Sequence, residues 1–380
     1  MQLSSLIDEA LPAEPTSCIP IAILPGEGIG PELMEACMPV LMAIEDGTPF
    51  KFDIEYGGKI GKDAYNEFGT SLTGEVSDFC QRAFQSGTPV FCGPGGHRFV
   101  YELRKRFDLF CKFVPLQPFP AMQDTGALRP SAVAGTDILL LRENVGGLYQ
   151  GSWHTQQEDG SLSAHQAFCY DEHQVTRIMS VAVAAAESRR GSLCVVHKPG
   201  GAPAISELWV QVARQCAASS SVELRFLEVD TAAYLILAEA RSFDVMVTPN
   251  MFGDVIADVA ALLLGSRGMS YSFNLGTHGA AVYQTGHGAA YDLAGTQRAN
   301  PLGQIQSLAA LLAQSYGLGQ LSDSLRTACN LVLAAGLRTG DIMSPGATLA
   351  TTAEMGEAIA AALAQELQSP RQATGAASTV

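Results

Sequence analysis

The sequence predicts an α/β fold, and three observations carry that expectation. Short apolar runs of strand length recur at residues 19–24, 137–141, 193–196, 224–229 and 245–247, with helical periodicity in the stretches between them. Many of the 38 glycines fall at turn-like positions between apolar runs, where α/β loops need them. The chain has 380 residues, 47% of them apolar, which suffices for two domains or one large α/β unit with a sizeable core.

Charge and cysteine usage narrow the function classes. A formal net charge of −15 argues against nucleic acid or an anionic membrane as a partner. No apolar run approaches the length of a transmembrane helix, and the opening MQLSSLIDEALPAEPTS carries acids rather than a basic leader. The nine cysteines are scattered singly, odd in number and without a C-x-x-C pair. That pattern points to free thiols in a reducing compartment, hence the cytoplasm, rather than to disulfides or structural zinc.

Taken in order, residues 1–18 are a polar, proline-containing lead-in expected to be loose. The strand at 19–24 runs into PGEGIGPE (25–32) and a helix with Leu33, Ala36, Cys37, Val40, Leu41 and Ile44 on one face. Pro31 suits the first helical turn, whereas Pro39 falls in mid-helix with nothing in the sequence to account for it. The pattern invites a dinucleotide-binding reading, yet Gly26, Gly28 and Gly30 spell G-x-G-x-G and miss the G-x-G-x-x-G fingerprint by one position. The loop is a tight βα turn, either beside a ligand or purely structural. Residues 73–86 read as a helix and 89–92 as a short strand.

GPGGHRFVYELRKRFDLFCKFVP (93–115) opens as a glycine-rich loop and turns helical, with Phe99, Leu103 and Phe107 in register. Its Arg98, Arg104, Lys105 and Arg106 form either a solvated basic face or a pocket for a multiply charged anion. The strand at 137–141 delivers RENVGGLYQG (142–151) and places Arg142 and Tyr149 at a strand's carboxyl end, where α/β sheets hold ligands. Tyr149 can equally be a half-buried core phenol. Residues 151–170 are polar and broken and suit a protruding arm. Helices are expected at 172–189 and 205–217. Lys198 directly follows a buried strand, an unusual place for an unpaired lysine, and Asp230 puts another charge at a strand end. Residues 268–286 read as irregular. Asn300 and Pro301 cap a helix whose Leu302, Ile305, Leu308 and Leu312 face inward, and a last helix spans 353–367. The tail SPRQATGAASTV has a disordered composition.

The stretch VMVTPNMFGDVIADVAALLLG (245–265) organises the rest. Its apolar start reads as a buried strand, Pro249 and Asn250 break the run, and a helix is expected after Gly253. Asp254 and Asp258 sit four residues apart and so stack on one helix face, where like charges repel by a few tenths of a kcal/mol. Either both are solvated acids near a helix start, or they grip a hard divalent cation, Mg²⁺ or Mn²⁺.

As a set, PGEGIGPE, LRKRFDLF, RENVGGLYQG, VVHK, VDTAAYLI, VTPNMFGDVIAD and HGAAYDLAG…ANP resemble the metal-dependent β-decarboxylating dehydrogenases of the isopropylmalate, isocitrate, homoisocitrate and tartrate/malate types, from about residue 19 to 367. The resemblance implies an isopropylmalate dehydrogenase-like two-domain fold with a long mixed β-sheet, not a Rossmann fold. It divides the chain into a large nucleotide-binding domain (1–109 plus 266–380) and a small domain (110–265) carrying the dimer interface and an arm near 150–170. It implies a homodimer with shared active sites and no nucleic-acid or membrane partner. Asp254 and Asp258 would bind the cation with Asp230 of the partner subunit, and Lys198, also of the partner subunit, would help remove the substrate hydroxyl proton. Tyr149 would protonate the enol left after CO₂ departs, Arg104 and Arg142 would hold carboxylates, and His287, Gly288, Ala289, Asp292 and Asn300 would contact the nucleotide.

The chemistry of these residue types agrees with the resemblance. A cation on an α-hydroxy-carboxylate acidifies the hydroxyl, a lysine beside it would have a lowered pKa, and hydride transfer needs a nicotinamide. Asp292, followed by Leu293 rather than in the Lys–Tyr pair of NADP users, would repel a 2′-phosphate and so indicates NAD. Two departures bear on the substrate. The family's N-[LV]-R-P reads Lys112-Phe113-Val114-Pro115, so one arginine is replaced by Val114, and Lys198 is followed by Pro199 and Gly200 instead of x-Asn. Arg98, in the loop that selects the substrate's variable group, is expected to recruit an extra anion such as a distal carboxylate or a phosphonate. Three other readings compete: a tartrate/malate-type dehydrogenase, a non-catalytic regulatory paralogue of an isocitrate dehydrogenase, and a phosphohydroxythreonine-type dehydrogenase. The last needs a histidine-based metal site, and the seven histidines show no ligand-spaced pair.

Overall fold

The apolar runs form strands because residues buried on both faces of a sheet favour continuous β-branched and aromatic stretches. The computed structural model describes residues 2–7, 17–123 and 125–368. Of the lead-in expected to be loose, residues 8–16 lie outside the described residues, as does the tail from 369 onward; residues 2–7 are tied down, with the Leu3 amide and Ser4 hydroxyl bonded to Gln314. The first part of the chain forms β1 (Cys18–Leu24), α1 (Gly30–Gly47), β2 (Lys51–Tyr56), α2 (Gly61–Phe68), α3 (Gly74–Gln85), β3 (Val90–Cys92), α4 (Phe99–Arg106) and β4 (Cys111–Leu116). Next come α5 (Pro130–Val133), β5 (Ile138–Glu143), β6 (Ser152–Glu158), β7 (Ser161–Ala167), α6 (Glu172–Glu187), β8 (Ser192–His197), α7 (Pro203–Ala217), β9 (Glu223–Glu228) and α8 (Val229–Ala238). The last part holds β10 (Val245–Thr248), α9 (Asn250–Ala260), β11 (Tyr271–Leu275), β12 (Ala281–Thr285), α10 (Leu302–Tyr316), α11 (Gly319–Ala334) and α12 (Thr352–Gln368).

Ten strands join one mixed sheet in the order β2-β1-β3-β12-β11-β4-β5-β10-β8-β9. Pairing is parallel except around β11 and β4, which run antiparallel to each other and to β12 and β5. Strands from residues 18–92 and 271–285 make one half of this order and strands from 111–248 the other. β11 and β4 link the halves, and the Phe113 and Phe273 rings stack across the join at 4.9 Å. The mixed sheet is the expected long one, and no Rossmann sheet is formed.

Three local expectations are corrected. Residues 268–286 are not irregular: they contain β11 and β12, two central strands. Their polar residues hid them, since Ser272 and Asn274 are fully buried and Asn274 is satisfied by a 2.9 Å bond from the Asn144 side chain. The helix of 93–115 ends at Arg106, Asp108 adopts a left-handed φ of 48°, and the residues after it form β4. The α11 helix, which packs against α10 and α12, carries no start signal strong enough to be read beforehand. Pro39 does lie inside α1, without breaking it. The arm at 151–170 is a two-stranded hairpin of β6 and β7, separate from the main sheet, with Trp153 and Leu162 exposed. None of the nine cysteines forms a disulfide, and no helix among the described residues is long and apolar enough to cross a membrane.

Candidate active site

Pro249 forms the N-cap of α9, so the helix begins at Asn250 and Gly253 lies within it rather than ahead of it. A Cβ at Gly253 would lie 2.1 Å from Thr248 Oγ1 and 2.9 Å from Arg142 Cβ. The bare backbone therefore lets α9 settle onto the carboxyl end of β5. That contact brings Asp254 to Arg142, a residue only 1% exposed. Arg142 donates Nη1 to Asp254 Oδ1, and Nε and Nη2 to Asn250 Oδ1 at 3.1 and 2.8 Å. Asn250 is itself held by donating Nδ2 to the Gly146 carbonyl at 2.9 Å and its amide to Tyr170 Oη.

Tyr149 donates its hydroxyl to the other Asp254 oxygen at 3.0 Å. Burial, reinforced by the Asp254 charge, pushes the phenol up to about 12, so it keeps its proton at neutral pH. Burial alone would raise the Asp254 carboxyl, but Arg142, Lys112, the Tyr149 hydroxyl and Arg104 outweigh it and hold the group below its ordinary value. The basic segment of α4 divides: Lys105 and Arg106 are exposed, whereas Arg104 is buried and is driven down to about 9 by burial and then by Arg142. Lys112 on β4 is also buried, and burial, Arg104 and Arg142 all lower it well below the usual lysine range. Arg98 is half-buried beside them. It reaches the Tyr149 carbonyl at 3.4 Å, and its guanidinium carbon sits 4.5 Å from the centre of the Trp153 ring.

The other predicted acids stand apart. Asp258 is exposed and pairs with Arg267 at 3.0 Å, so Asp254 and Asp258 each have a separate cation to offset their mutual repulsion. Lys198 donates to Glu228 at 2.7 Å and to Asp230 at 2.9 Å. Within a single chain and without a cation, the Lys198 pKa is raised, chiefly by its bond to Glu228 and then by that to Asp230. No three acidic, histidine or cysteine side chains gather into a metal-binding group among the described residues. The donor chemistry nevertheless suits a hard cation, because Asp254 and Asp258 offer carboxylate oxygens from one helix with solvent beyond them.

The glycine loops form a second region. Gly28, at φ +60°, packs against Ala289, where a Cβ would sit 2.1 Å from the carbonyl oxygen; that oxygen also accepts the Ile29 amide at 2.9 Å. Glu27, 1% exposed, takes the amides of Gly96 and Asp63. Thus PGEGIG, the 93–97 loop and the segment after Thr285 are laced together. His287 bonds Gly288 through Nδ1 at 3.0 Å, Gly288 is open, and Asp292 is exposed without a hydrogen bond or ion pair to any described residue. Asn300 is buried; its Oδ1 accepts the Leu302 amide at the start of α10 and its Nδ2 donates to Asp341 at 3.1 Å.

A profile of the isocitrate/isopropylmalate dehydrogenases matches residues 20–359. The chain belongs to the isocitrate/isopropylmalate dehydrogenase family. The 3-isopropylmalate dehydrogenase of Hydrogenovibrio crunogenus is 36% identical over 358 residues, 90% of this chain and 99% of that protein. That of Synechococcus sp. is 37% identical over 377 residues, covering 95% and 98%. The crystal structure of isocitrate dehydrogenase from Methylococcus capsulatus aligns with a TM-score of 0.81 at 29% identity, across 91% of this chain and all of that one. Membership makes the chain an oxidoreductase and supports oxidative decarboxylation of a hydroxy acid.

For this family member, sequence reasoning missed several partners that tertiary contact supplies. Asn250, Glu228 and Glu27 carry no local signal, because their partners lie 108, 30 and 69 residues away. Lys112 did carry a signal, a lone lysine within an apolar run, which was overshadowed by the missing arginine at Val114.

Proposed function

We propose that the protein carries out NAD-linked, divalent-cation-dependent oxidative decarboxylation of a 2-hydroxy acid bearing a 3-carboxylate, as a homodimer. The observation that carries this reading is Asp254: one carboxylate oxygen takes the Tyr149 hydroxyl, the other takes buried Arg142, and Arg104 stands near by. A proton donor, a candidate cation ligand and an anion clamp therefore share one cleft.

Asp254 and Asp258, with Asp230 of the partner subunit, would hold Mg²⁺ or Mn²⁺. The cation would act as a Lewis acid on the substrate oxygens. Arg104 and Arg142 orient the substrate carboxylates. A bound nicotinamide would accept hydride from C2; Lys198 of the partner subunit, in its neutral form, would take the hydroxyl proton, and the 3-carboxylate of the resulting 2-keto acid would leave as CO₂. The bond electrons left at C3 then take the Tyr149 proton, which a phenol at about 12 retains until a carbon base forms. Exposed Asp292 pairs with none of the described residues and so can accept from a ribose hydroxyl, and its charge disfavours a 2′-phosphate. His287, Gly288, Ala289 and Asn300 complete the proposed nucleotide contacts. Exposed Tyr234 on α8, Val255 on α9 and Trp153 on the hairpin support a second copy packing over this side.

Arg98, beside Tyr149 and Trp153, is the group we assign to an extra anionic substituent. Replacing it with alanine should raise KM selectively for the more highly charged acid, and equal effects on malate and on tricarboxylates would overturn the assignment. The main test is NADH production by the pure protein with Mn²⁺ across malate, tartrate, isopropylmalate, isocitrate, homoisocitrate and phosphonomethylmalate. Turnover abolished by a chelator and restored by Mn²⁺ supports the proposal. No turnover of any of these acids removes it and favours a regulatory paralogue.

A further inference from the structure

Strand side chains alternate, so Lys112 and Val114 lie on the same face of β4. In the β4–β5 register Lys112 stands opposite Arg142, while Val114 stands opposite Leu140, one pleat along. Lys112 is 5% exposed, and the charged groups that act on it are Arg104, Arg142, Asp254 and Asp258, all belonging to the cleft. Its ammonium makes no hydrogen bond or ion pair with any described residue. A lysine this deeply buried whose ammonium has no protein partner is costly to keep, and a cleft ligand is the group that would complete it. Asp254 is engaged by Arg142, and Asp258 by Arg267. With the Asp258–Arg267 pair set aside, the pocket holds Arg104, Lys112 and Arg142 around the Asp254 carboxylate, an excess of positive charge that suits an anionic ligand.

The geometry points to Lys112 as the third anion ligand of this substrate pocket, standing in for the family arginine that Val114 replaces, with the charge moved one pleat, about 7 Å, along β4. The inference rests on the cleft being the substrate site. The shift places all three cations at one end of the pocket. It also replaces a planar fork with a point charge, which grips tetrahedral anions as readily as carboxylates.

The test is calorimetric binding of malate, isocitrate and isopropylmalate with Mg²⁺ present and NAD absent, so that turnover plays no part. Lys112→Met, nearly isosteric and apolar, should weaken the tightest of these by on the order of 10- to 100-fold, the loss of one charged hydrogen bond. The ligand-free variant should melt no lower than the wild type, because a dehydrated charge has been removed. The double variant Lys112→Asn/Val114→Arg, which restores the family pattern, should recover affinity for isopropylmalate. Unchanged affinity in Lys112→Met, with affinity lost in Arg142→Ala, overturns the role of Lys112 and leaves the cleft assignment intact. Loss of thermal stability without loss of affinity makes Lys112 structural and overturns it too. If the wild type binds none of the three acids, both readings fall together.

Discussion

Asn250 is the residue on which the reasoning about the cleft can be tested most directly. It touches no substrate in the proposal, yet its side-chain oxygen takes two hydrogen bonds from the Arg142 guanidinium and its nitrogen bonds the Gly146 carbonyl, all fully buried. Hydrogen bonds to a charged group contribute about 1.5–3 kcal/mol each, and a buried charge deprived of partners costs more than the bond itself. Arg142 retains Asp254 after Asn250→Ala, so the losses do not sum fully, and about 3 kcal/mol of destabilisation is expected. Urea unfolding should show a lower midpoint with an unchanged slope. Because Arg142 loses two of its three fixed contacts, KM for the hydroxy acid should also rise at least about tenfold. Asn250→Asp, which keeps the acceptor but sets a carboxylate against the Gly146 carbonyl, should fall between wild type and alanine. A shift under about 0.5 kcal/mol with wild-type KM would show that Arg142 is held by something other than this fork and would refute the account.

Tyr149→Phe should leave the fold nearly as stable while lowering kcat by about 10²- to 10⁴-fold with little change in KM, as loss of a proton donor requires; a matched fall in binding would argue for a positioning role instead. Gly28→Ala forces a side chain into a left-handed position and onto the Ala289 carbonyl, so NADH affinity measured by fluorescence should drop by more than substrate affinity does. The Asp254 carboxyl is held below its ordinary value. Its contribution to stability is therefore complete above the unfolded pKa of about 3.9 and disappears as pH falls through the lower folded value. Asp254→Asn should accordingly flatten the loss of stability below about pH 4 in acid-unfolding curves, and an unaltered curve would remove Asp254 from the charge balance.

The strand–helix alternation, the paired acids of α9 and the family motifs were legible because each is local: a period, a spacing or a short string of residue types. β11 and β12 were not, since Ser272, Asn274 and Gln284 look like loop residues until the sheet buries them and the Asn144 side chain satisfies Asn274. β4 was obscured for a related reason, its apolar run being continuous with the register of α4 until Asp108 turns the chain. Within the site, the sequence named Arg142, Tyr149 and Asp254 but could not show that all three meet at one carboxylate. Chain periodicity and motif spacing determined the class of fold and the candidate chemistry, because those depend on residues near one another along the chain. Only the tertiary structure decided which charges face each other. It placed Asn250 under Arg142, paired Lys198 with Glu228 and Asp230, and buried Lys112 opposite an arginine, since electrostatic pairing depends on distance through space and on the dehydration that packing imposes.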